Sequence, residues 1–350
     1  MKLDEFIKFN PKESLSKGKC FKCVDMASLK PFTRKPDHFI SIYKNGSKFR
    51  NGDTIMARIT PCLENGKTSY INFLQQNEVA FGSTEFIVAR AKTNVSLPLF
   101  IYYLLCSNRI REIAIGSMTG SSGRERVQQI SLNEIEIPAY SISFQQHIVD
   151  TIGSVDSLIE LNQEKISKIK NLAAQKYELL YKTYPKSAIG KRLKFIKGKQ
   201  PKFASKEDGE PYLIIDDLAS NIHTQFSSEG LVCDVNDVLM VMDGASSGKV
   251  FTGNKGYVGS TLAKLSSPQI KPSILYFGLS KFEEEIMKNT TGSAIPHTDK
   301  SFVSELRIVD DLDDKTTDFF NFCLNQICNL RTQNSLLSIQ KEILLQKYFH

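Results

Sequence analysis

Tryptophan is missing from these 350 residues, histidine occurs only five times, and no run of about 18 apolar residues is present. The last absence excludes a membrane-spanning helix. The opening MKLDEFIKFNPKE has no apolar core of the kind a secretory leader needs, so no export signal is expected. Cysteine is present, but in odd number: Cys20, Cys23, Cys62, Cys106, Cys233, Cys323 and Cys328. That argues against a disulfide framework and leads us to expect a reducing cytoplasm. Cys20 and Cys23 stand at zinc-ligand spacing, yet no second CxxC and no nearby His pair completes four ligands, and no metal site is assigned.

Catalytic motifs are equally scarce. Gly66-Lys67-Thr68 ends like a P-loop, but Pro61 stands where its first glycine belongs. Gly244 to Gly248 has the wrong spacing for the same motif, and Val250 replaces its Ser or Thr. No GxGxxG follows a strand, and there is no HExxH and no Asn-Pro-Pro-aromatic run. Asp53 and Glu85 as a nuclease acid pair would lack the Glu-x-Lys partner. No catalytic residue is assigned, and the chain is read as a non-enzyme.

What is present is ordinary in bulk and unusual in arrangement. The chain is 41% hydrophobic and 24% charged, with a net charge of +7 that favours an anionic partner. Phe144 to Tyr184 contains no proline and one glycine, Gly153. Its apolar positions Ile148, Ile152, Val155, Ile159, Ile166, Ile169, Ala173 and Leu180 alternate steps of three and four, with Asn162 and Lys176 also on the seam. This predicts a helix roughly 60 Å long that buries a narrow stripe against another helix. A second such stretch closes the chain, from about Lys315 to Phe349, with a seam of Phe320, Cys323, Ile327, Leu330, Asn334, Leu337, Lys341, Leu344 and Tyr348. LAAQKYELLYKTY (172–184) and LSIQKEILLQKYF (337–349) share letters in the same columns. The two are expected to pair antiparallel.

The segments between repeat as well. Gly52-Asp53 precedes the strand-like TIMARI (54–59), as Asn236-Asp237 precedes VLMVM (238–242). Gly66-Lys67, Gly82-Ser83-Thr84 and Thr119-Gly120-Ser121 are answered by Gly248-Lys249, Gly259-Ser260-Thr261 and Thr291-Gly292-Ser293. Lys67 to Phe73 and Thr84 to Arg90 are further strand candidates. Helices are expected over Leu97 to Ile110 and from Pro272, and Ile135 and Ile137 are read as a last strand answered by Leu306 and Ile308. Collinear matches of this kind signify an internal duplication. The expected fold is mixed α/β: similar globular domains over 1–143 and 185–313, separated by an antiparallel coiled coil of the helices 144–184 and 314–350, with a pseudo-two-fold organisation. Such a molecule suits a target that is itself two-fold, such as two half-sites on duplex DNA.

The loop GSMTGSSG (116–123), closing in Arg124, Glu125 and Arg126, combines backbone freedom, hydroxyls and cations suited to phosphates and base edges. The DNA-contact candidates in the first half are Arg58, Lys67, Ser83, Thr84, Thr119, Ser121, Ser122, Arg124 and Arg126. In the second half they are the basic run Lys191, Arg192, Lys197 and Lys199, then Lys249, Ser260, Thr261, Thr291, Ser293, His297 and Lys300.

The runs NGDTIMARITPCLENGKTSYI (51–71), AFGSTEFIVAR (80–90), TGSSGRERV (119–127) and IEIPAYSISFQQHIVDTI (135–152) resemble the DNA specificity subunits of type I restriction-modification systems. FNPKESLSKG (9–18) and VDMASLKPFTR (24–34) fit as well. The second half is similar more loosely, through GEPYLIIDDL (209–218) and its short Gly, Ser and Thr motifs. The resemblance implies two target-recognition domains that each read half of a bipartite DNA site, with the helices as a ruler. It also implies that the helices dock methyltransferase subunits, two in number; the docking candidates are Ile152, Ile159, Asn162, Ile169, Lys176, Leu330, Asn334, Leu337 and Lys341. Restriction subunits join the complex. This chain itself would bind no cofactor: S-adenosylmethionine, ATP and Mg are expected on the partners. Two other classes stay open, a DNA-modifying enzyme acting alone and a coiled-coil scaffold without a DNA role.

Overall fold

A computed structural model describes residues 1–220, 223–292 and 295–350. The chain divides into two compact units, Met1–Ser157 with Ile339–His350, and Leu158–Ser338. The division falls within both long helices, so each unit keeps part of each.

In the first unit a short helix α1 (Leu3–Phe6) leads into β1 (Ile7–Phe9), β2 (Cys20–Val24), β3 (Phe39–Ile42), β4 (Ser47–Phe49), β5 (Asp53–Ala57), β6 (Thr68–Tyr70), β7 (Ala80–Gly82) and β8 (Phe86–Ala91). Two four-stranded sheets result, in the orders β1-β8-β5-β6 and β3-β2-β7-β4. Strand β5 is buried at every position, so the half-exposed alternation expected of TIMARI is not realised within it. Its first residue, Asp53, is buried and bound by Arg90 directly across the ladder at 2.7 Å. In the second sheet β2 and β7 run parallel, and Gly46 lies so close to the Gly82 carbonyl that a side chain there would collide with it.

Helix α2 (Pro98–Cys106) starts on proline and is buried from Phe100 to Cys106, so it has no polar face. It does not continue to Ile110, as the sequence pattern predicts. Ser107 takes extended backbone, folds its hydroxyl onto the Leu104 carbonyl at 2.7 Å, and α3 (Asn108–Gly116) begins anew. After α4 (Gln129–Asn133), the strand expected at Ile135 and Ile137 shrinks to one bridge between Lys2 and Glu136. The Leu3 and Ile137 amides hold it by donating to the Ile135 and Met1 carbonyls at 2.8 Å each.

Helix α5 (Ile142–Thr183) follows, 42 residues long. In the first unit its Ile148 and Ile152 join a core with α1, α2, α4 and Phe349 of the terminal helix.

The second unit follows the same plan. After β9 (Ser187–Ala188) come β10 (Lys194–Lys197), β11 (Glu210–Leu213), α6 (Ile215–Ser220), β12 (Phe226–Ser227), β13 (Val232–Cys233), β14 (Val238–Val241), β15 (Val250–Phe251), β16 (Gly256–Val258) and β17 (Leu262–Ser266). The sheets are β10-β17-β14-β15 and β12-β11-β16-β13, each with the strand order and sense of its counterpart, including the parallel β11 and β16 pair. Asp237 pairs with Lys264 at 2.6 Å, where the first unit pairs Asp53 with Arg90. Then come α7 (Pro272–Lys281), α8 (Glu283–Lys288), β18 (Thr290–Thr291), β19 (His297–Thr298), α9 (Lys300–Glu305) and β20 (Arg307–Ile308), which pairs with β9.

Helix α10 (Asp314–Phe349) ends the chain. Within the second unit Asn162 meets Asn334 and Tyr177 meets Phe320; within the first Asp156 meets Lys341 and His147 meets Tyr348. In each unit the two helices therefore run antiparallel. One seam position differs from the expected register. Lys176 is exposed, and Tyr177 is buried instead, its hydroxyl donating to the Val309 carbonyl at 3.2 Å and accepting the Val309 amide at 3.0 Å.

Candidate nucleic-acid interface

In the first unit three segments converge at the end of β5. The Arg58 amide donates to the Glu85 carbonyl at 2.9 Å, and the Val127 amide donates to the Arg58 carbonyl at 2.8 Å. Ile59 bridges to Arg126, and the Thr60 amide donates to the Glu125 carbonyl at 3.0 Å. Residues 119–126 form a hairpin closed by a reciprocal pair, Thr119 amide to Arg126 carbonyl at 3.1 Å and Arg126 amide to Thr119 carbonyl at 2.9 Å. Gly120 and Gly123 turn its tip with positive φ, which a side chain disfavours. Thr119, Ser121, Ser122 and Arg124 are exposed on that tip.

The Arg126 guanidinium is held edge-on by Glu85, Nε to Oε2 at 2.9 Å and Nη2 to Oε1 at 2.8 Å, while Nη1 donates to the Arg124 carbonyl at 3.1 Å. Hydrogen bonds from Arg126 hold the Glu85 carboxyl below the usual range, against a smaller opposing effect of burial. Arg58 donates from Nη2 to the Val127 carbonyl at 3.1 Å, so its fork lies along the hairpin base. Lys67 reaches the Met26 carbonyl at 3.0 Å, Ser83 accepts the Glu85 amide at 3.1 Å, and Thr84 is exposed.

The second unit builds the same junction from other residues. At the end of β14, Asp243 bridges to His297, the counterpart of the Ile59 and Arg126 bridge. His297 Nδ1 lies 2.7 Å from Asp243 Oδ1, and Lys197 Nζ lies 2.7 Å from Asp243 Oδ2. Burial would raise the Asp243 pKa, but the bonds from Lys197 and His297 outweigh it and hold the carboxyl low. Thr291 lies on the β18 strand opposite His297, and Ser293 falls outside the described residues.

The other second-half candidates are dispersed. Arg192 is bound to Asp310 and to Ser187, Lys191 and Lys199 are exposed, and Lys300 opens α9 with its ammonium 5.8 Å from the Phe195 ring. Ser260 donates its amide to the Tyr212 hydroxyl at 2.8 Å, the Thr261 carbonyl accepts from Met242, and Lys249 is half-buried beside β15.

Of the residues expected to dock partners, Ile152, Asn162, Leu330, Asn334 and Lys341 are buried in the chain's own helix contacts. Ile159, Ile169 and Leu337 are half-buried, and Lys176 is exposed. Sequence spacing passed over the apolar side chains that do face outward on these helices, among them Leu172 and Leu179 on α5 and Leu336 and Ile343 on α10. It also missed Asp243, and it set Glu85 beside Asp53, although Asp53 is bound by Arg90 and Glu85 by Arg126. No helix of the described chain is long and apolar enough to cross a membrane.

A hairpin of glycines, hydroxyls and arginine at the end of β5 offers the donors and cations that phosphates and base edges accept, the equipment of a nucleic-acid recognition module. Residues 1–171 match the family described as the type I restriction modification DNA specificity domain. The chain is similar to the MjaVIII specificity subunit of Methanocaldococcus jannaschii, 34% identical over 128 residues, 34% of this chain and 30% of that protein. It is similar also to the EcoAI specificity subunit of Escherichia coli, 29% identical over 129 residues, 37% of this chain and 22% of that protein. The chain thus spans less than a third of the length of either relative. A solved type I restriction-modification S subunit from M. genitalium aligns with 100% of this chain and 95% of its own, at 16% identity and a TM-score of 0.48.

Proposed function

We propose that this chain is the DNA specificity subunit of a type I restriction-modification complex, that it reads a bipartite duplex site, and that it performs no chemistry itself. The observation that carries the reading is the repeated plan. A DNA specificity domain matches the first unit, and the second repeats its two sheets strand for strand. Two readers of one design call for a target in two parts.

Charge supports the same partner. Residues 11–50 hold ten Lys and Arg against three Asp and Glu, an excess equal to that of the whole chain. Lys12, Lys17, Lys19 and Lys44 are exposed there, where they can neutralise phosphates without reading sequence.

The assembly we infer adds two methyltransferase subunits and the restriction subunits, with S-adenosylmethionine, ATP and Mg held by those partners. Within the second unit, Leu172 and Leu179, seven residues apart on α5, and Leu336 on α10 leave exposed apolar faces outside the chain's own seam. These faces support protein docking.

The test is to map methylated adenines in cells that carry this chain together with a type I adenine methyltransferase subunit. A two-part motif that disappears when the chain is deleted is expected. A motif that persists without it, or methylation by the purified chain with S-adenosylmethionine alone, overturns the reading.

A further inference from the structure

We propose that Arg126 and His297 are positioning residues that hold the two recognition hairpins in place, and that Arg124 is the side chain of the first hairpin that reads the DNA; the proposal rests on the function inferred above. An arginine reads guanine by offering two parallel N–H groups to O6 and N7. Arg126 already spends its edge on a carboxylate, and all three of its nitrogens are engaged, two with Glu85 and one with the Arg124 carbonyl. Freeing that fork would strand the Glu85 charge and release the hairpin base. Arg124 differs. It is exposed, lies beside the two-glycine tip, and its guanidinium has no bond among the described residues, while its backbone is fixed by its amide to the Ser121 carbonyl at 2.9 Å.

The second unit carries the observation independently. At the same bridge the hairpin residue is again tied to an acid, His297 to Asp243 at 2.7 Å, and Lys197 takes the other oxygen at 2.7 Å. In the first unit the acid comes from the turn after β7, and in the second from the end of β14. Different sources of carboxylate at one topological place point to a clamp as what the two units share. A clamp must persist whatever base is read, whereas a reader can change with the target. Sequence preference is therefore assigned to Arg124 and the hydroxyls of Ser121 and Ser122, and retention of the hairpin to Arg126 with Glu85.

The test uses the chain assembled with its methyltransferase, and reads the methylated motif, the Kd on cognate duplex and hydrogen exchange over residues 116–127. Arg124→Ala is expected to leave exchange unchanged, to relax base preference in one half-site and to raise Kd about tenfold or more. Arg126→Ala is expected to speed exchange across 119–126. Glu85→Arg and Arg126→Glu singly are expected to lose the motif, and the two together to restore it, because the swapped pair rebuilds the clamp. An exchange pattern that Arg126→Ala does not alter, a double swap that stays as defective as Arg126→Glu alone, or an intact motif in Arg124→Ala overturns the proposal. Absence of any motif with the wild-type chain overturns the functional reading and this inference with it.

Discussion

Asp156 on α5 and Lys341 on α10 meet at 2.7 Å with their side chains only 5% and 7% exposed. The same carboxylate accepts the Tyr103 hydroxyl at 3.0 Å, and the ammonium lies 3.3 Å from the Phe32 carbonyl and 3.4 Å from the Tyr102 hydroxyl. A pair this far from water contributes little net stability, because desolvation offsets the attraction, but it punishes removal of one partner. Lys341→Met is expected to cost about 3–5 kcal/mol, since it leaves Asp156 buried without a countercharge. Lys341→Met with Asp156→Leu is expected to recover most of that. Urea titration followed in the first unit checks both, and a double variant as unstable as the single one would refute the account.

Asn162 and Asn334 form the corresponding polar contact within the second unit. The Asn162 amide donates to Asn334 Oδ1 at 2.9 Å, and Asn334 donates onward to the Ile159 carbonyl at 3.2 Å. Asn334→Leu alone strands a buried amide and is expected to cost about 1–3 kcal/mol. Leucine at both positions is expected to regain stability but to lose discrimination among helix pairings, as when a buried Asn is removed from a coiled coil. Light scattering should then detect oligomers that the wild type does not form. A strictly unchanged mass would mean that the Asn pair does not specify the pairing.

The long helices were legible because a three-four apolar rhythm over 42 residues has few other readings, and β5 because Ile55, Met56 and Ala57 follow the Gly52-Asp53 turn. The register slipped at Tyr177, where an aromatic ring with a polar tip enters the core by bonding Val309 at both its amide and its carbonyl. Spacing alone cannot register that bond. The second sheet went unread in both units. Its parallel pair joins Cys23 to Phe81 across the chain, and β3 carries apolar residues that stay exposed, so no periodicity marks it. At the hairpin, Arg126 stood out as a cation, but its partner Glu85 lies 41 residues away and becomes a neighbour only when β7 turns into β8.

His223 gives the second unit a pH dependence whose sign can be worked out. Burial, with a smaller push from Arg331, lowers its pKa to about 4, and its Nδ1 is sealed without a hydrogen-bond partner among the described residues. Unfolded, the ring titrates near about 6.5. Between these values the unfolded chain binds the extra proton, so the stabilising contribution is fully present above about pH 6.5 and is lost as pH falls toward about 4. His223→Leu is expected to flatten the urea midpoint across that window relative to wild type. Parallel profiles for the two proteins would show that the ring is not held neutral by the fold.

The exposed lysines of the first unit should behave unlike Arg124. The Gly18 amide donates to the Tyr43 carbonyl at 3.0 Å and the Tyr43 amide to the Lys19 carbonyl at 2.8 Å, which brings Lys17, Lys19 and Lys44 to one end of the β2 and β3 ladder. Point charges on flexible stems can meet phosphates, but they carry no base code. Replacing all three with alanine is therefore expected to weaken cognate and unrelated duplexes by the same factor. It should also lower the slope of log K against log salt by about 0.9 for each phosphate that is no longer neutralised, so by up to about 3. The methylated motif should not change, because the base-reading side chains are untouched. Binding measured from low to moderate KCl on both duplexes decides the matter. An unaltered slope would exclude this cationic end from the footprint, and a changed motif would mean that one of the lysines reads sequence after all.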